Sequence, residues 1–217
     1  MSGSVGIIAD SASRYTAFTE SLTGMLGRMP VNTQVRFKVG TDKGVSRDWL
    51  VQDSLERGSE WMFFIDDDHT FASTILLQLL SHDKPIVASL YLQRENPFWP
   101  ICYESRDDSG MYTPLDLTGK TGLQPIVAAG TAGMLIRSEV FYEIEPPWFL
   151  HTDEQSEDLF FCAKAAEAGF PLFVDLDATL GHINPMTVVP RLYEDGWVAS
   201  VVVSRTMTVG LKIGDGE

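Results

Sequence analysis

An apolar run that ends in three adjacent carboxylates is the feature that most constrains this sequence. The run is Trp61–Ile65, and the carboxylates are Asp66–Asp68. An unbroken apolar run of this length is typical of a central parallel strand, which is buried on both faces. Adjacent carboxylates at the end of a buried strand repel one another and lose hydration unless water or a cation reaches them. The feature therefore predicts either a solvated strand end or a cation site.

The segments around this run alternate between strand-like and helix-like patterns. Strand-like segments occur at Ser4–Asp10, Val31–Gly40 and Lys84–Arg94, and helix-like segments separate them. One of these helices is expected to be capped by Ser46 and to run to about Arg57, with Val45, Trp49, Val51 and Leu55 on its apolar face. This βαβαβαβ order predicts an α/β fold with a mostly parallel central sheet and helices on both faces. Ligands of open α/β sheets bind beyond the carboxyl ends of the strands, so Asp10 and Asp66–Asp68 are expected to share one edge.

The second half of the chain departs from this alternation. Glu95–Gln124 is rich in Pro, Gly, Asp and Thr, which predicts an irregular excursion containing a hairpin. Gln124–Phe141 predicts a strand, a glycine-rich bend and another strand, and Ser156 is expected to begin a helix. A last strand leads to His182. The polar, β-like segment Ser200–Ile213 is suited to an edge strand.

Composition limits the classes of function. At 217 residues, 44% of them apolar, the chain is expected to form one domain with a sizeable core. A net charge of -14 argues against broad electrostatic binding to nucleic acid or anionic membranes. The two cysteines have no metal-like spacing and fit reduced thiols. Signal-peptide features and long apolar stretches are absent, which predicts a cytoplasmic protein without a membrane span.

The carboxylates after the apolar strand suit a divalent cation. Side chains alternate along a strand, so Asp66 and Asp68 are expected to face one side and Asp67 the other. Two carboxylates on one side provide oxygen ligands for Mg²⁺ or Mn²⁺ carrying a diphosphate. The structural alternative is a solvated acidic strand end with no role.

This apolar strand running into Asp-x-Asp resembles the GT-A glycosyltransferases, which bind a nucleotide sugar through a metal. Three further stretches resemble motifs of that family in the same order. Ala128–Ile136 is a glycine-rich turn, Ser156–Phe170 resembles the family's Glu-Asp helix, and His182 resembles its C-terminal metal ligand. The resemblance covers Val5–Ile183 and is to the short, single-domain members found in bacteria and their viruses. It implies the GT-A fold, with a smaller antiparallel part towards the C-terminus.

The resemblance implies a metal site. Asp68 would ligate the metal directly, Asp66 would bind it through water or hold the donor ribose, and His182 would be a third protein ligand. An imidazole ligand favours Mn²⁺ over Mg²⁺. The ion would neutralise the charge that develops on the leaving diphosphate. For His182 the alternative is a structural histidine.

The resemblance also implies a donor side for a nucleoside diphosphate sugar, with a UDP-sugar favoured. Asp10 would contact the base, and the guanidinium groups of Arg14 and Arg47 suit the diphosphate. The glycine-rich turn would let the backbone approach the sugar closely. A turn cap for Asp10 and a helix surface for Arg47 are the structural alternatives. The expected donor-binding set is Asp10, Arg14, Arg47, Asp66, Asp67, Gly130 and Gly133.

Asp158, with Glu157 beside it, is the candidate on the acceptor side. In inverting members of the family the equivalent Asp deprotonates the acceptor hydroxyl, and in retaining members it orients the sugar or the acceptor. The two carboxylates would otherwise be first-turn helix anions. Trp148 follows a pair of prolines, where its ring would stack on a sugar or a base, or belong to the core.

We therefore expect a metal-dependent glycosyltransferase that moves a sugar from a nucleoside diphosphate donor to a hydroxyl acceptor. Residues 1–94 would form its nucleotide-binding half, 95–189 its acceptor-side half and 190–217 a C-terminal tail. The acceptor could be a glycan, a protein, a small molecule or a hydroxymethylated base in viral DNA. A DNA acceptor would need a basic groove, for which the candidates are Arg94, Arg106, Lys120 and Arg137.

Two other interpretations use the same residues. The stretch DDDHT fits the Asp-x-Asp-x-Thr motif of haloacid-dehalogenase-like phosphatases, with Asp66 as nucleophile, Asp68 as general acid and Thr70 on the phosphoryl group. Those enzymes usually carry the motif on the first strand, whereas two βα units are expected to precede it here. The second interpretation is a sugar- or metal-binding protein without catalysis.

Overall fold

The structure is a computed structural model of the chain. It describes residues 2–9, 15–40, 42–184, 187–194, 196–202 and 208–212, so the predicted donor-binding residues Asp10 and Arg14 lie outside the described residues. The elements in chain order are β1 (Gly3–Ala9), α1 (Thr16–Leu26), β2 (Thr33–Val39), α2 (Lys43–Glu56), β3 (Trp61–Asp66), β4 (His69–Phe71), α3 (Ile75–Ser81), β5 (Ile86–Leu90), β6 (Cys102–Arg106), β7 (Tyr112–Pro114), β8 (Leu123–Ile126), β9 (Ala128–Ala129), β10 (Met134–Arg137), α4 (Ser138–Glu143), α5 (Glu157–Glu167), β11 (Leu172–His182), β12 (Thr187–Tyr193), β13 (Gly196–Val202) and β14 (Thr208–Lys212).

The central sheet has eight strands in the described part of the chain. Seven of them follow the order β2-β1-β3-β10-β5-β11-β4, and β8 pairs with β11. Strands β2, β1, β3, β5 and β11 point in one direction, whereas β10, β8 and β4 run against them. The mostly parallel α/β sheet predicted from the sequence is therefore confirmed. Asp66 ends β3 at the carboxyl edge of the parallel strands.

Helices cover both faces of this sheet, as predicted. Trp61, Phe63 and Ile65 of β3 pack with α1 and α3 on one face. Met62 and Phe64 point to the other face and pack with α2, α4 and α5. All five side chains are buried, because successive residues of a strand face opposite sides and both sides here meet a helical layer.

Helix α2 differs from its sequence prediction in both its start and its buried face. It begins after Asp42, whose carboxylate accepts a hydrogen bond from the Val45 backbone N–H, so Ser46 is not the cap. Val45 and Trp49, predicted on the apolar face, are 63% and 41% exposed, whereas Val51 of the same predicted face is buried and Leu55 packs against the core. The helix instead buries Arg47, and this rotation directs Arg47 towards the carboxyl edge of the sheet.

Two small antiparallel sheets lie outside the central sheet. The predicted hairpin in the long excursion is confirmed, since β6 pairs with β7 and also with β9. In the described C-terminal residues, β12, β13 and β14 form a separate three-stranded antiparallel sheet with β14 at its edge, which confirms the predicted smaller antiparallel part; the edge strand belongs to this sheet and not to the central one. None of the helices in the described ranges combines the length and the apolarity needed to cross a membrane.

Candidate active site

A polar pocket of about 420 Å³ opens at the carboxyl edge of the sheet, and we call it the site pocket. It is lined by Lys43, Arg47, Asp66, Asp68, His69, Tyr91, Gln93, Arg94, Ile101, Ala132, Asp158 and His182. A larger pocket of about 640 Å³ lies at the opposite edge, around Lys84 and Arg137. We assign the site by chemistry rather than by size, because the smaller pocket gathers carboxylate, guanidinium and imidazole groups at the edge where open α/β sheets bind ligands.

Two histidines meet in the site pocket because of strand pairing. Asp67 and Asp68 form a tight turn after β3, and the short strand β4 then runs antiparallel to β11. In this register His69 lies opposite His182, and their rings stack with centroids 4.4 Å apart. The backbone N–H of Ile183 donates to the Asp68 carbonyl at 2.8 Å, which closes this end of the pair. Sequence reasoning missed His69, because no motif marks this register.

The side chains of Asp68, His69 and His182 fit a divalent cation. One potential ligand atom from each lies within 4.8 Å of the others. Asp68 Oδ1 and both ring nitrogens of His69 are buried and make no well-aligned hydrogen bond among the described residues, although the Asp66 backbone lies close enough to the His69 ring to raise its pKa against the effect of burial. The 2.7 Å separation of His69 Nδ1 and Asp68 Oδ1 lacks hydrogen-bond alignment. Unpartnered buried polar atoms of this kind are expected where an ion binds, and one carboxylate with two imidazoles suits a transition metal such as Mn²⁺.

Burial favours the neutral form of both imidazoles, which is the form that binds metals. Burial lowers the pKa of His69 to about 4 and also lowers the pKa of His182. His182 Nδ1 lies 2.9 Å from the Leu92 carbonyl oxygen. A carbonyl can only accept, so Nδ1 carries the hydrogen and Nε2 keeps its lone pair. Nε2 lies 3.8 Å from Asp68 Oδ2, within the candidate metal cluster.

Arg47 ties together three carboxylates from two other parts of the chain, β3 and α5. Its side chain is 1% exposed, and its guanidinium contacts Glu157, lies 3.2 Å from Asp158 and lies 3.4 Å from Asp66. Burial alone would lower the pKa of Arg47, but these carboxylates outweigh it and raise the pKa above its usual value. Lys43 Nζ lies 3.7 Å from Asp66 and adds a second, more exposed cation. Because its charge is already matched, Arg47 is better suited to holding these carboxylates than to the predicted diphosphate contact.

Asp158 faces the site pocket, and its neighbour Glu157 does not. Both stand in the first turn of α5, where the helix dipole favours negative charge. Asp158 lines the pocket, accepts a hydrogen bond from the Thr131 hydroxyl and is 22% exposed. Glu157 is buried against Arg47, with His151 Nδ1 3.7 Å from its other oxygen. Ser156 precedes the helix as predicted, although its side chain makes no capping hydrogen bond.

Trp148 belongs to the core, so the predicted stacking on an acceptor is corrected. Its side chain is 5% exposed, and its indole N–H donates to the carbonyls of Phe141 and Ile144 at 3.2 and 2.9 Å. The ring also packs edge-to-face on Phe141. A ring held in this way is not available to a sugar or a base.

The glycine-rich turn is explained by internal packing. A Cβ at Gly130 would overlap the Tyr91 hydroxyl. Gly133 has φ +74°, a conformation that favours glycine, and a Cβ there would lie 2.6 Å from Leu180 Cδ1. The turn therefore lets Tyr91 and β11 approach the backbone. The predicted approach of the backbone to a sugar stays a prediction.

Gly130→Ala should lower the free energy of unfolding by about 1–3 kcal/mol, because the added methyl group forces apart a packed interior. Urea denaturation would measure the change. Gly27→Ala is the matched control: Gly27 has φ -70°, and the nearest atom to an added Cβ is 3.9 Å away. A Gly130→Ala variant as stable as Gly27→Ala would contradict this account of the turn.

The remaining predicted residues are dispersed. Asp67 is half-buried and does not line the site pocket. Lys120 pairs with Glu104, and Arg106 packs over the Tyr112 ring. Arg94 lies in the site pocket, whereas Arg137 lies at the opposite edge of the sheet, so the four basic residues do not form the groove expected for DNA.

Solved structures resemble this architecture, although no protein-family model and no curated protein sequence matches the chain. A197 from STIV superposes with a TM-score of 0.61 at 13% identity, over 97% of this chain and 98% of A197. GalNAc-T7, solved with UDP, GalNAc and Mn²⁺, superposes with a TM-score of 0.60 at 14% identity. The fold is GT-A-like. The GalNAc-T7 match covers 84% of this chain and 44% of GalNAc-T7, so this GT-A-like chain spans less than half of that protein.

Proposed function

We propose that this chain is a metal-dependent glycosyltransferase that moves a sugar from a nucleoside diphosphate sugar to a hydroxyl acceptor. The observation that carries the proposal is that one pocket contains both a candidate metal cluster and the helix carboxylate Asp158. The presence of UDP, GalNAc and Mn²⁺ in a neighbour of the same fold supports a nucleotide-sugar donor, with UDP as the first base to test.

In this proposal Asp68, His69 and His182 hold the ion. When bound, the ion supplies positive charge to the leaving diphosphate. Asp66 lies beside the cluster, where its contacts with Arg47 and Lys43 would fix the carboxylate for the donor. The likeness of fold and the position of Asp66 at the end of β3 are the support for placing the donor here.

Asp158 is the proposed acceptor-side residue. Its carboxylate is oriented by the Thr131 hydroxyl and by Arg47. In an inverting reaction a carboxylate oxygen of Asp158 would take the proton of the acceptor hydroxyl while the hydroxyl oxygen bonds to the sugar carbon, and the bond from that carbon to the nucleoside diphosphate breaks. Glu157 assists by sharing the charge of Arg47, which fixes the first turn of α5.

The phosphatase interpretation is weakened by the order of elements. The Asp-x-Asp-x-Thr stretch follows β3, after two βα units, and not the first strand. The GT-A-like fold also matches the glycosyltransferase interpretation.

The proposal is tested by thermal unfolding with UDP, GDP, CDP or ADP, each with Mn²⁺ and with EDTA. A nucleotide at a hundredfold excess over its Kd stabilises the folded protein by about 2.7 kcal/mol. We expect one nucleotide to raise the unfolding temperature in the presence of Mn²⁺ but not of EDTA. In a second assay, the protein should release that nucleotide from the corresponding nucleotide sugar. No shift with any nucleotide would contradict the proposal, and binding without turnover on any acceptor would favour the non-catalytic interpretation.

Asp158→Asn should leave Mn²⁺-dependent nucleotide binding intact and lower the transfer rate by about 10²–10⁴-fold, the usual contribution of a general base. Donor binding by calorimetry and turnover by nucleotide release would separate the two effects. Glu167→Gln, an exposed change at the other end of α5, is the control. Loss of nucleotide binding in Asp158→Asn, or full turnover, would reject the acceptor-side role.

A further inference from the structure

Arg94 lies on the loop after β5 and places its positive charge on the candidate metal ligand Asp68. Its Nη2 contacts Asp68 Oδ2, the same oxygen that lies 3.8 Å from His182 Nε2. The other nearby cations, Arg47 and Lys43, contact Asp66 instead. The guanidinium of Arg94 and an ion bound between Asp68 and His182 would therefore compete for one carboxylate oxygen.

The loop fixes the backbone of Arg94 but leaves its side chain a route to move. The Asn184 amide donates to the Arg94 carbonyl at 3.2 Å, and His182 Nδ1 donates to the Leu92 carbonyl at 2.9 Å. The Arg94 side chain is 35% exposed. Its Nε is buried without a hydrogen-bond partner among the described residues, so the pairing with Asp68 leaves one donor unused. The side chain can thus change rotamer while the segment that carries His182 stays in place.

We propose that Arg94 exchanges partners during donor binding: it neutralises Asp68 before the divalent ion binds, and it then binds the donor's diphosphate. This inference rests on the proposed function. A divalent ion at Asp68 would repel a guanidinium at the same oxygen. A diphosphate beside that ion offers oxygens in the spacing that a planar guanidinium binds with two hydrogen bonds.

The exchange predicts opposite effects of Arg94 on two affinities, that for the ion alone and that for the nucleoside diphosphate. Arg94 opposes binding of the ion alone and favours binding of the nucleoside diphosphate once the ion is present. The two ligands are therefore coupled through Arg94, and each tightens the other by the same factor. An arginine that only contacted phosphate would leave the affinity for the ion alone unchanged. An arginine that only stabilised the fold would leave both affinities unchanged.

The test compares Arg94→Met with the unmodified chain. Electron paramagnetic resonance of free Mn²⁺ would measure ion affinity without nucleotide, and calorimetry would measure UDP affinity at saturating Mn²⁺. We expect Mn²⁺ to bind about fivefold more tightly to Arg94→Met, the size supported by a partly exposed ion pair. We expect UDP to bind about tenfold more weakly, which is the loss of a charge-assisted contact. Mn²⁺ affinity that does not rise, or UDP affinity that does not fall, would overturn the inference.

Matched variants keep these outcomes interpretable. Arg106→Met removes an arginine from the β6–β7 hairpin, outside the site pocket, and should change neither affinity. Arg94→Lys keeps a positive charge and should bind Mn²⁺ with nearly the affinity of the unmodified chain. This variant also provides a test if Arg94→Met folds poorly, because a Mn²⁺ affinity well above that of the unmodified chain would contradict the inference. Mn²⁺ binding that is lost in His182→Ala but unchanged in Arg94→Met would overturn the exchange and leave the proposed function standing. Absence of Mn²⁺ binding in all variants, with UDP present, would overturn both.

Discussion

Asp68→Asn should abolish the Mn²⁺-dependent stabilisation by a nucleoside diphosphate and should lower sugar transfer by about three orders of magnitude, because a catalytic ion contributes several kcal/mol to the stability of the transition state. Asp68 is the carboxylate of the candidate cluster, and its two oxygens face His69 and His182. Asparagine has the same shape but no charge, so the change removes the anionic ligand without removing volume.

Thermal unfolding with UDP and either Mn²⁺ or EDTA would measure this loss. The variant alone should unfold near the temperature of the unmodified chain, since Arg94 is partly exposed and can be hydrated once Asp68 is neutral. Asp108→Asn, on the exposed hairpin turn, is the control and should keep the full Mn²⁺-dependent shift. A shift retained in Asp68→Asn would place the ion elsewhere and would reject the cluster.

Arg47→Met should lower the free energy of unfolding by about 3–5 kcal/mol, the usual effect of removing one partner from a buried ionic network. Methionine fills much of the same space, so the expected loss comes from charge. Without Arg47, the buried Glu157 and the neighbouring Asp66 and Asp158 would repel one another with no buried cation between them.

Urea unfolding followed by circular dichroism would measure this change. Arg57→Met is a suitable comparison, because Arg57 directly follows α2 but pairs with Asp53 at an exposed site. It should destabilise the protein far less, since exposed ion pairs are screened by water. Equal stability of Arg47→Met and Arg57→Met would mean that the three carboxylates are held by other contacts.

The central strand and the acidic edge could be predicted because their signals are local. The run Trp61–Ile65 is buried on both faces of the sheet. Its unbroken series of apolar residues predicts this burial without reference to any other part of the sequence. The start of α5 at Glu157 could also be predicted, because a serine followed by two acidic residues is typical of a helix N-terminus. These features depend on neighbours in the sequence, so no knowledge of distant residues was needed.

The environment of Arg47 could not be predicted in this way. Apolar periodicity predicted that Val45 and Trp49 would be buried. The helix instead buries Arg47, because the side chain of Arg47 pairs with carboxylates of β3 and α5. Glu157 is 110 positions away from Arg47 along the chain. A local sequence pattern therefore contains no sign of the ion pair that stabilises the buried arginine. The same applies to His69, whose role depends on the strand opposite it.

The pairing of β4 with β11 has a consequence for synthesis of the protein. A ribosome releases Asp68 and His69 long before it releases His182, so the three candidate ligands coexist only when β11 has emerged. An ion bound by all three would then stabilise a loop closure that spans more than half of the chain. A chain that stops before β11 should fail to acquire Mn²⁺ at this site, which would make metal uptake a marker that β11 has joined the central sheet.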